Sequence, residues 1–328
     1  MNNLKKIGLS ALAGTLASLS AQAGEMTVTG SAEVSYVQRD GDEITGNPIG
    51  MNKNLGFAGS GELDNGWTVS ISQATTDAMA FSSAALTIGM GSLGTIVVDN
   101  GSGADFGSAL DNVVPIAFEE ADAGFSTGMV KSGGAITPYG SIIYKLPEFS
   151  GAKVYVGYNP RGGSGSTADG ATGGDVGGGN QAYELGVDWS PEMVPGLRVG
   201  GAWGTYDGGG TSGKDLDEET WFATYAYGPL SIGYQVADED NGTTSYDTDI
   251  YGVSFNVNDA LSVSYQYGET TGYAADITAK FEGFSAAYNI GPMAIKFTDN
   301  SVNNQNGKNT AGVSKDDSNR ELNLSMSF

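Results

Sequence analysis

From Met26 the chain alternates: Met26, Val28, Gly30, Ala32, Val34 and Tyr36 are apolar or small, and Thr27, Thr29, Ser31, Glu33 and Ser35 between them are polar or charged. A period of two predicts a β-strand with one apolar and one polar face. The same phase recurs in Trp67, Val69 and Ile71 against Thr68, Ser70 and Ser72, and in Leu197, Val199 and Trp203 against Arg198, Gly200 and Ala202. It returns in Leu230, Ile232, Tyr234 and Val236, in Tyr251, Val253, Phe255 and Val257, and in Leu261, Val263, Tyr265 and Tyr267. The chain ends on Leu322, Leu324, Met326 and Phe328, spaced by Asn323, Ser325 and Ser327. No helical stripe of comparable length appears. The phase blurs over Gly56 to Leu63 and Phe281 to Ile290, and Gly283 there suggests a bulge.

Turn signals separate these runs in two kinds. Short ones fall at Asp64 to Gly66, Gly91-Ser92, Pro147 to Gly151, Pro191 to Gly196, Gly228-Pro229, Asn258-Asp259 and Gly291-Pro292. Between them lie longer polar connections, such as Gln38 to Met51, Asn159 to Asn180, Asp207 to Glu218, Asp238 to Ser245 and Asn300 to Asp317. The scheme gives roughly sixteen strands of about ten residues, with short turns on one side only, as outer-membrane barrels have. A soluble sandwich produces the same alternation with its polar face in water. Three features favour a membrane barrel. Aromatics stand at strand ends (Tyr36, Trp67, Tyr158, Trp203, Trp221, Tyr225, Tyr227, Tyr234, Tyr267). The polar face is too rich in Ser, Thr, Gly and Asn for a dry core. Long and short connections alternate.

Composition removes most other chemistry. The 328 residues include no Cys and no His, so disulfides, Cys/His zinc sites and Ser-His-Asp or Cys-His triads are excluded. A formal net charge of -23 repels phosphate backbones and speaks against a nucleic-acid partner. Met1 to Ala23 carry Lys5 and Lys6, a short apolar run and Ala21-Gln22-Ala23. That is the plan of a secretory signal peptide cleaved after Ala23, which leaves 24–328 as one outer-membrane β-barrel domain.

Taken together, the leader, the start through Val28-Thr29-Gly30, about sixteen alternating strands and the terminal Phe328 resemble the Gram-negative general porins over the whole mature chain. The resemblance implies an all-β fold, a transmembrane antiparallel β-barrel with short periplasmic turns and long extracellular loops, whose third loop folds into the lumen. It implies a homotrimer in the cell outer membrane, in contact with lipid and lipopolysaccharide, passing small hydrophilic solutes by passive diffusion. It implies no enzymatic activity and no cofactor. The ending Leu322, Leu324, Met326 and Phe328 resembles the signal that the barrel-assembly machinery reads.

By position, Gly101 to Gly134 matches the third loop, following a fifth strand expected at Leu93 to Asp99. Its acids Asp105, Asp111, Glu119, Glu120 and Asp122, with Lys131 as the one base, predict an anionic constriction and weak cation selectivity. The family sets basic wall residues opposite such a loop, making a transverse field. By strand phase Arg198, Lys280 and Lys296 fall on the lumen face, as do Lys145 and Lys153, since each costs about 2–4 kcal/mol on the lipid face near the midplane. A structural pairing with lumen carboxylates such as Glu33 or Glu282 is the other reading of these bases.

Outer-loop acids cluster at Asp215 to Glu219, Asp238 to Asp240, Asp247 with Asp249, and Asp316-Asp317. Their oxygens suit Ca²⁺ or bridges to lipopolysaccharide phosphates, although no loop has the twelve-residue calcium pattern. Gly162 to Gly179 follows no strand-to-helix context and reads as a flexible loop. The competing functions are an adhesin or surface coat on a barrel or secreted β-protein, and a substrate-specific porin. A hydrolase would need a nucleophile that no spacing singles out.

Overall fold

The computed structural model describes residues 26–41, 45–105, 108–110, 112–125, 139–160, 181–273, 276–307 and 316–328. The leader and the glycine-rich stretch 162–179 therefore lie outside the described residues. Sixteen strands follow one another: β1 (Thr27–Asp40), β2 (Ile49–Glu62), β3 (Thr68–Thr75), β4 (Phe81–Gly89), β5 (Thr95–Asn100), β6 (Tyr139–Lys145), β7 (Ala152–Asn159) and β8 (Ala182–Trp189). The second half holds β9 (Leu197–Tyr206), β10 (Leu216–Tyr227), β11 (Leu230–Asp240), β12 (Ser245–Asn256), β13 (Leu261–Thr270), β14 (Ala279–Ile290), β15 (Met293–Asn303) and β16 (Asp316–Ser327). Each pairs antiparallel with its neighbours in sequence, and β16 returns to β1, closing the barrel. Closure satisfies every strand edge, which a hydrocarbon surround requires. Each of the seven short turns expected from sequence connects consecutive strands on one rim. Among the described residues no helix is long and apolar enough to cross a membrane.

At the closing seam, Gly30 and Phe328 exchange backbone hydrogen bonds of 2.7 and 2.9 Å. The Phe328 ring lies over Gly30, where an added Cβ would stand 2.5 Å from Cε2. Leu322, Leu324, Met326 and Phe328 are all exposed on the outer face beside the seam.

Directly opposed residues in an antiparallel ladder share a face, so register carries the inside and outside assignment around the barrel. Val34, Tyr36, Ile71, Leu86, Val98, Ile142, Val156 and Leu185 are large, apolar and exposed, and they mark the outer face. Across β11, β12 and β13, Tyr234 opposes Tyr251 and Tyr251 opposes Tyr267, with ring centroids 4.8 and 6.5 Å apart. Above these rings, Tyr234 donates to Asp249, Tyr265 to Glu282 and Trp221 to Glu219. The belt is uneven. Strands β2 to β5 contain no Tyr or Trp, and β3 to β8 run only six to nine residues where the others run ten to fourteen. Where β2 outruns β3, Asp77 accepts from both Lys53 N–H (3.2 Å) and Nζ (2.6 Å) on the outer face.

Gly283 makes no bulge, because the ladders of β14 are regular on both sides. Register shifts occur instead between Ala74 and Thr75 and between Asp99 and Asn100.

Candidate pore constriction

The third outer loop, L3 (101–138), leaves β5, and its described residues follow the inner wall strand by strand. Leu110 is fully buried against Ala202 and Phe222 of β9 and β10. On β11, Gln235 clasps the loop: Nε2 donates to the Leu110 carbonyl at 2.6 Å and Oε1 accepts from Val113 N–H at 2.8 Å. Gly233 and Gly252 oppose each other beneath it, and a Cβ at Gly252 would meet Val114 at 2.8 Å. Further on, Ala117 N–H donates to Ser264 Oγ (2.8 Å) and Phe118 N–H to Ser285 Oγ (3.1 Å). Gln266 accepts from Ala121 N–H at 2.5 Å and donates to Asn112 at 2.8 Å. Asn300 of β15 donates to the carbonyls of Glu120 (2.8 Å) and Ala123 (3.2 Å). Val114, Ala121, Phe281 and Val302 form an apolar seat under this span.

That seat corrects one assignment. Phe281 points inward against L3, so its neighbours Lys280 and Glu282 face outward, contrary to the lumen placement expected for Lys280. Lys280 Nζ lies 3.7 Å from Glu269 on the outer face. The alternation of β14 holds, but its two phases each carry a phenylalanine, and Phe284 takes the outside while Phe281 packs under L3.

The other bases do face the lumen. Lys145, at the turn end of β6, stands 5.3 Å from the Tyr155 ring and feels the carboxylates of Asp99 and Asp105. Lys153 opposes Asp188, which also holds Arg198 in a forked pair of 3.0 and 3.2 Å near the same turn end. Lys296 lies 4.7 Å from the Phe118 ring of L3.

Among the loop acids, Asp111 falls outside the described residues. Asp105 and Asp122 are buried, at 1% and 8% exposure. Glu120 is half-buried, with its main chain held by Asn300. Glu119 meets two wall carboxylates, Glu33 of β1 and Glu321 of β16, with Lys296 beside them. Burial, then repulsion from Glu321 and Glu33, pushes Glu119 up to about 7 against the pull of Lys296. The site is therefore three carboxylates around one ammonium, formed by four elements that only the closed barrel brings together. Glu33 and Glu321 carry a sequence signal, their polar strand phase, but their height relative to L3 is set by the tertiary path of the loop and has no local signature.

The arrangement is a polar passage with a loop fastened along its wall. Solved structures share the barrel fold. An anion-selective porin from Comamonas acidovorans aligns with TM-score 0.67 at 15% identity, covering 94% of this chain and 100% of its own. The Salmonella typhi OmpF complex with daunomycin gives 0.65 at 13% identity, over 92% and 97%. A mutant of the Rh. blastica porin gives 0.63 at 18% identity, over 93% and 100%. Among curated proteins none matches in sequence. The family described as Gram-negative porin matches residues 8–307, and with the closed sixteen-stranded barrel this shows that the chain belongs to that family of outer-membrane channels.

Proposed function

We propose that this porin is a homotrimeric diffusion channel with a weak preference for cations. The observation that carries the preference is the cluster of Glu33, Glu119 and Glu321 around the single Lys296 beside the loop. Carboxylates in a narrow passage with low-dielectric walls raise the local cation concentration and lower that of anions. One neighbour of the same fold is an anion-selective porin, so the sign of selectivity comes from the charges at the constriction and not from the barrel. Trimer formation is supported by the outer face of β2 to β5, where the tyrosine and tryptophan belt is missing and the Lys53–Asp77 pair stands in its place. Aromatic belts suit a lipid interface, and a face without one suits protein contact.

On this reading residues 1–23 are removed on export, and mature protein from outer membranes begins at Gly24. The apolar C-terminal ending recruits the barrel-assembly machinery, outer-face residues contact lipid and lipopolysaccharide, and no cofactor or catalytic step is involved. The test is planar-bilayer recording across a KCl gradient. A reversal potential of cation-preferring sign is expected, and an anion-preferring sign would overturn the assignment.

A further inference from the structure

Among the described residues, two apolar troughs of similar size lie on the outer face of the wall. One, of about 370 Å³, follows the closing seam between Tyr36, Ile49, Ile295, Leu322 and Leu324. The other, of about 340 Å³, crosses β8 to β11, with Gly200 and Ala223 in its floor and Trp189, Trp221, Tyr234 and Val236 around it. Gly201 shapes this second trough. It carries no side chain on the outward phase of β9, and the Trp221 ring lies down on it, with the place of a Cβ only 2.4 Å from Cε3. Both volumes are in the range of small-ligand sites.

The troughs differ in what stands above them. Outward positions recur every second residue, so toward the outer loops Trp221 is followed by Glu219 and Asp217 on β10, and Val236 by Asp238 and Asp240 on β11. These four carboxylates, with Trp203 and Ser245, line a basin over the trough. The ladder sets like charges opposite one another: Asp217 faces Asp240, and Asp238 stands between Glu219 and Asp247. Such pairs destabilise a sheet unless a cation lies among them. Trough and basin are joined by their aromatics, since Trp221 donates to Glu219 and Tyr234 to Asp249. The wall supplies no cation of its own: Arg198, the one base within β8 to β12, faces the lumen on Asp188, and Lys214 in the loop above is held on the Gly242 carbonyl. Among the described residues no three carboxylates converge as ligands of one metal ion would. Over the seam trough the charge is already balanced, because Arg320 is paired with Asp299 at 3.0 Å.

Resting on the lipid contact of the outer face given above, and independent of the ion preference, we propose that the β8–β11 trough seats one chain of a cationic lipid, whose ammonium head lies in the carboxylate basin. A phosphate head at that place would meet like charge at close range. An ammonium about 4 Å from a single carboxylate gains roughly fivefold in association even at the dielectric of water. The seam trough, under its closed Arg320–Asp299 pair, accepts chains without choosing among heads.

The test is quenching of tryptophan fluorescence by lipids with brominated chains, in phosphatidylcholine liposomes containing the purified porin. Trp189, Trp203 and Trp221 belong to the trough and its basin, and Trp67→Phe removes the fourth tryptophan from the signal. The probes are a brominated lipid with a trimethylammonium head and brominated phosphatidylglycerol, each in EDTA and in Ca²⁺. The association ratio of the first to the second should be about fivefold or more. Glu219→Gln with Asp238→Asn should lower that ratio by roughly threefold, whereas Asp64→Asn with Asp259→Asn, which removes the same charge from the turn rim, should leave it within about twofold. The heat-modifiable gel shift checks folding, and Glu219→Gln alone serves if the double variant fails it. A wild-type ratio near one, a preference for phosphatidylglycerol in either medium, or an equal fall in both double variants overturns the inference. Absence of quenching by either lipid would instead defeat the lipid contact on which it rests.

Discussion

Glu119 offers a quantitative handle on the constriction. Its carboxyl is half-buried between Glu33, Glu321 and Lys296 and ionises near pH 7, so the charge there changes across the neutral range. For an ion passing about 6 Å from one full charge, Coulomb attraction at a dielectric near 80 is about 0.7 kcal/mol. Salt at about 0.15 M roughly halves this. A cation gains what an anion loses, so the difference is again about 0.7 kcal/mol, or roughly threefold in the cation-to-anion permeability ratio. The sign follows from the raised pKa: Glu119 is mostly neutral at pH 6 and mostly charged at pH 8, so cation preference rises with pH. We expect a two- to threefold rise between those values, on the order of the single-charge effect. Reversal potentials recorded at fixed KCl gradient over this range measure it. Glu119→Gln should flatten the curve near its low-pH limit, and Lys296→Met should move the midpoint upward because the ammonium holds the carboxyl down. A flat wild-type curve, or a titration that survives Glu119→Gln, would refute the reasoning.

Three further outcomes are specific. Gln266→Leu removes the acceptor of Ala121 N–H and the donor to Asn112, a loss of about 1–3 kcal/mol confined to the seating of L3. Single-channel current noise should rise while the gel shift of the folded barrel persists, and quiet traces would mean that the loop is held elsewhere. Lys280→Gln should leave the reversal potential unchanged whereas Lys296→Gln increases cation preference, and the reverse pattern would return Lys280 to the lumen. Gly30→Ala forces a Cβ to within 2.5 Å of the Phe328 ring, an overpacking of about 1–3 kcal/mol at the closing seam. A refolding time course read by heat-modifiable migration should show slower closure, and wild-type kinetics would show that the ring moves aside freely.

Most of the wall is legible in the sequence because one physical condition, lipid outside and water inside, is repeated on sixteen strands. Turns such as Gly228-Pro229 and Gly291-Pro292 stop strands by local backbone chemistry and sit where the pattern places them. The pattern misleads where the inside is not wet. Under L3 the lumen face is briefly a dry protein core, so Phe281 belongs inside and Lys280 and Glu282 go outside. For the same reason composition misjudges the loop. Asp105 and Asp122 look like pore charges, yet both are buried. The clasping residues Gln235, Ser264, Gln266, Ser285 and Asn300 were invisible as a set, because each is an ordinary polar residue on an inward phase. Only the tertiary path of the loop distinguishes them.

The grip on L3 has a consequence for how such a pore can change. The wall's hydrogen bonds reach the loop mostly through its main chain, at the N–H groups of Val113, Ala117, Phe118 and Ala121 and the carbonyls of Leu110, Glu120 and Ala123. Main-chain handles are present whatever side chain is attached. The side chain at 119 can therefore be exchanged for a neutral or basic one without disturbing any of these bonds, so the filter is a replaceable part on a fixed mount. Folding and ion preference are separately adjustable in this barrel.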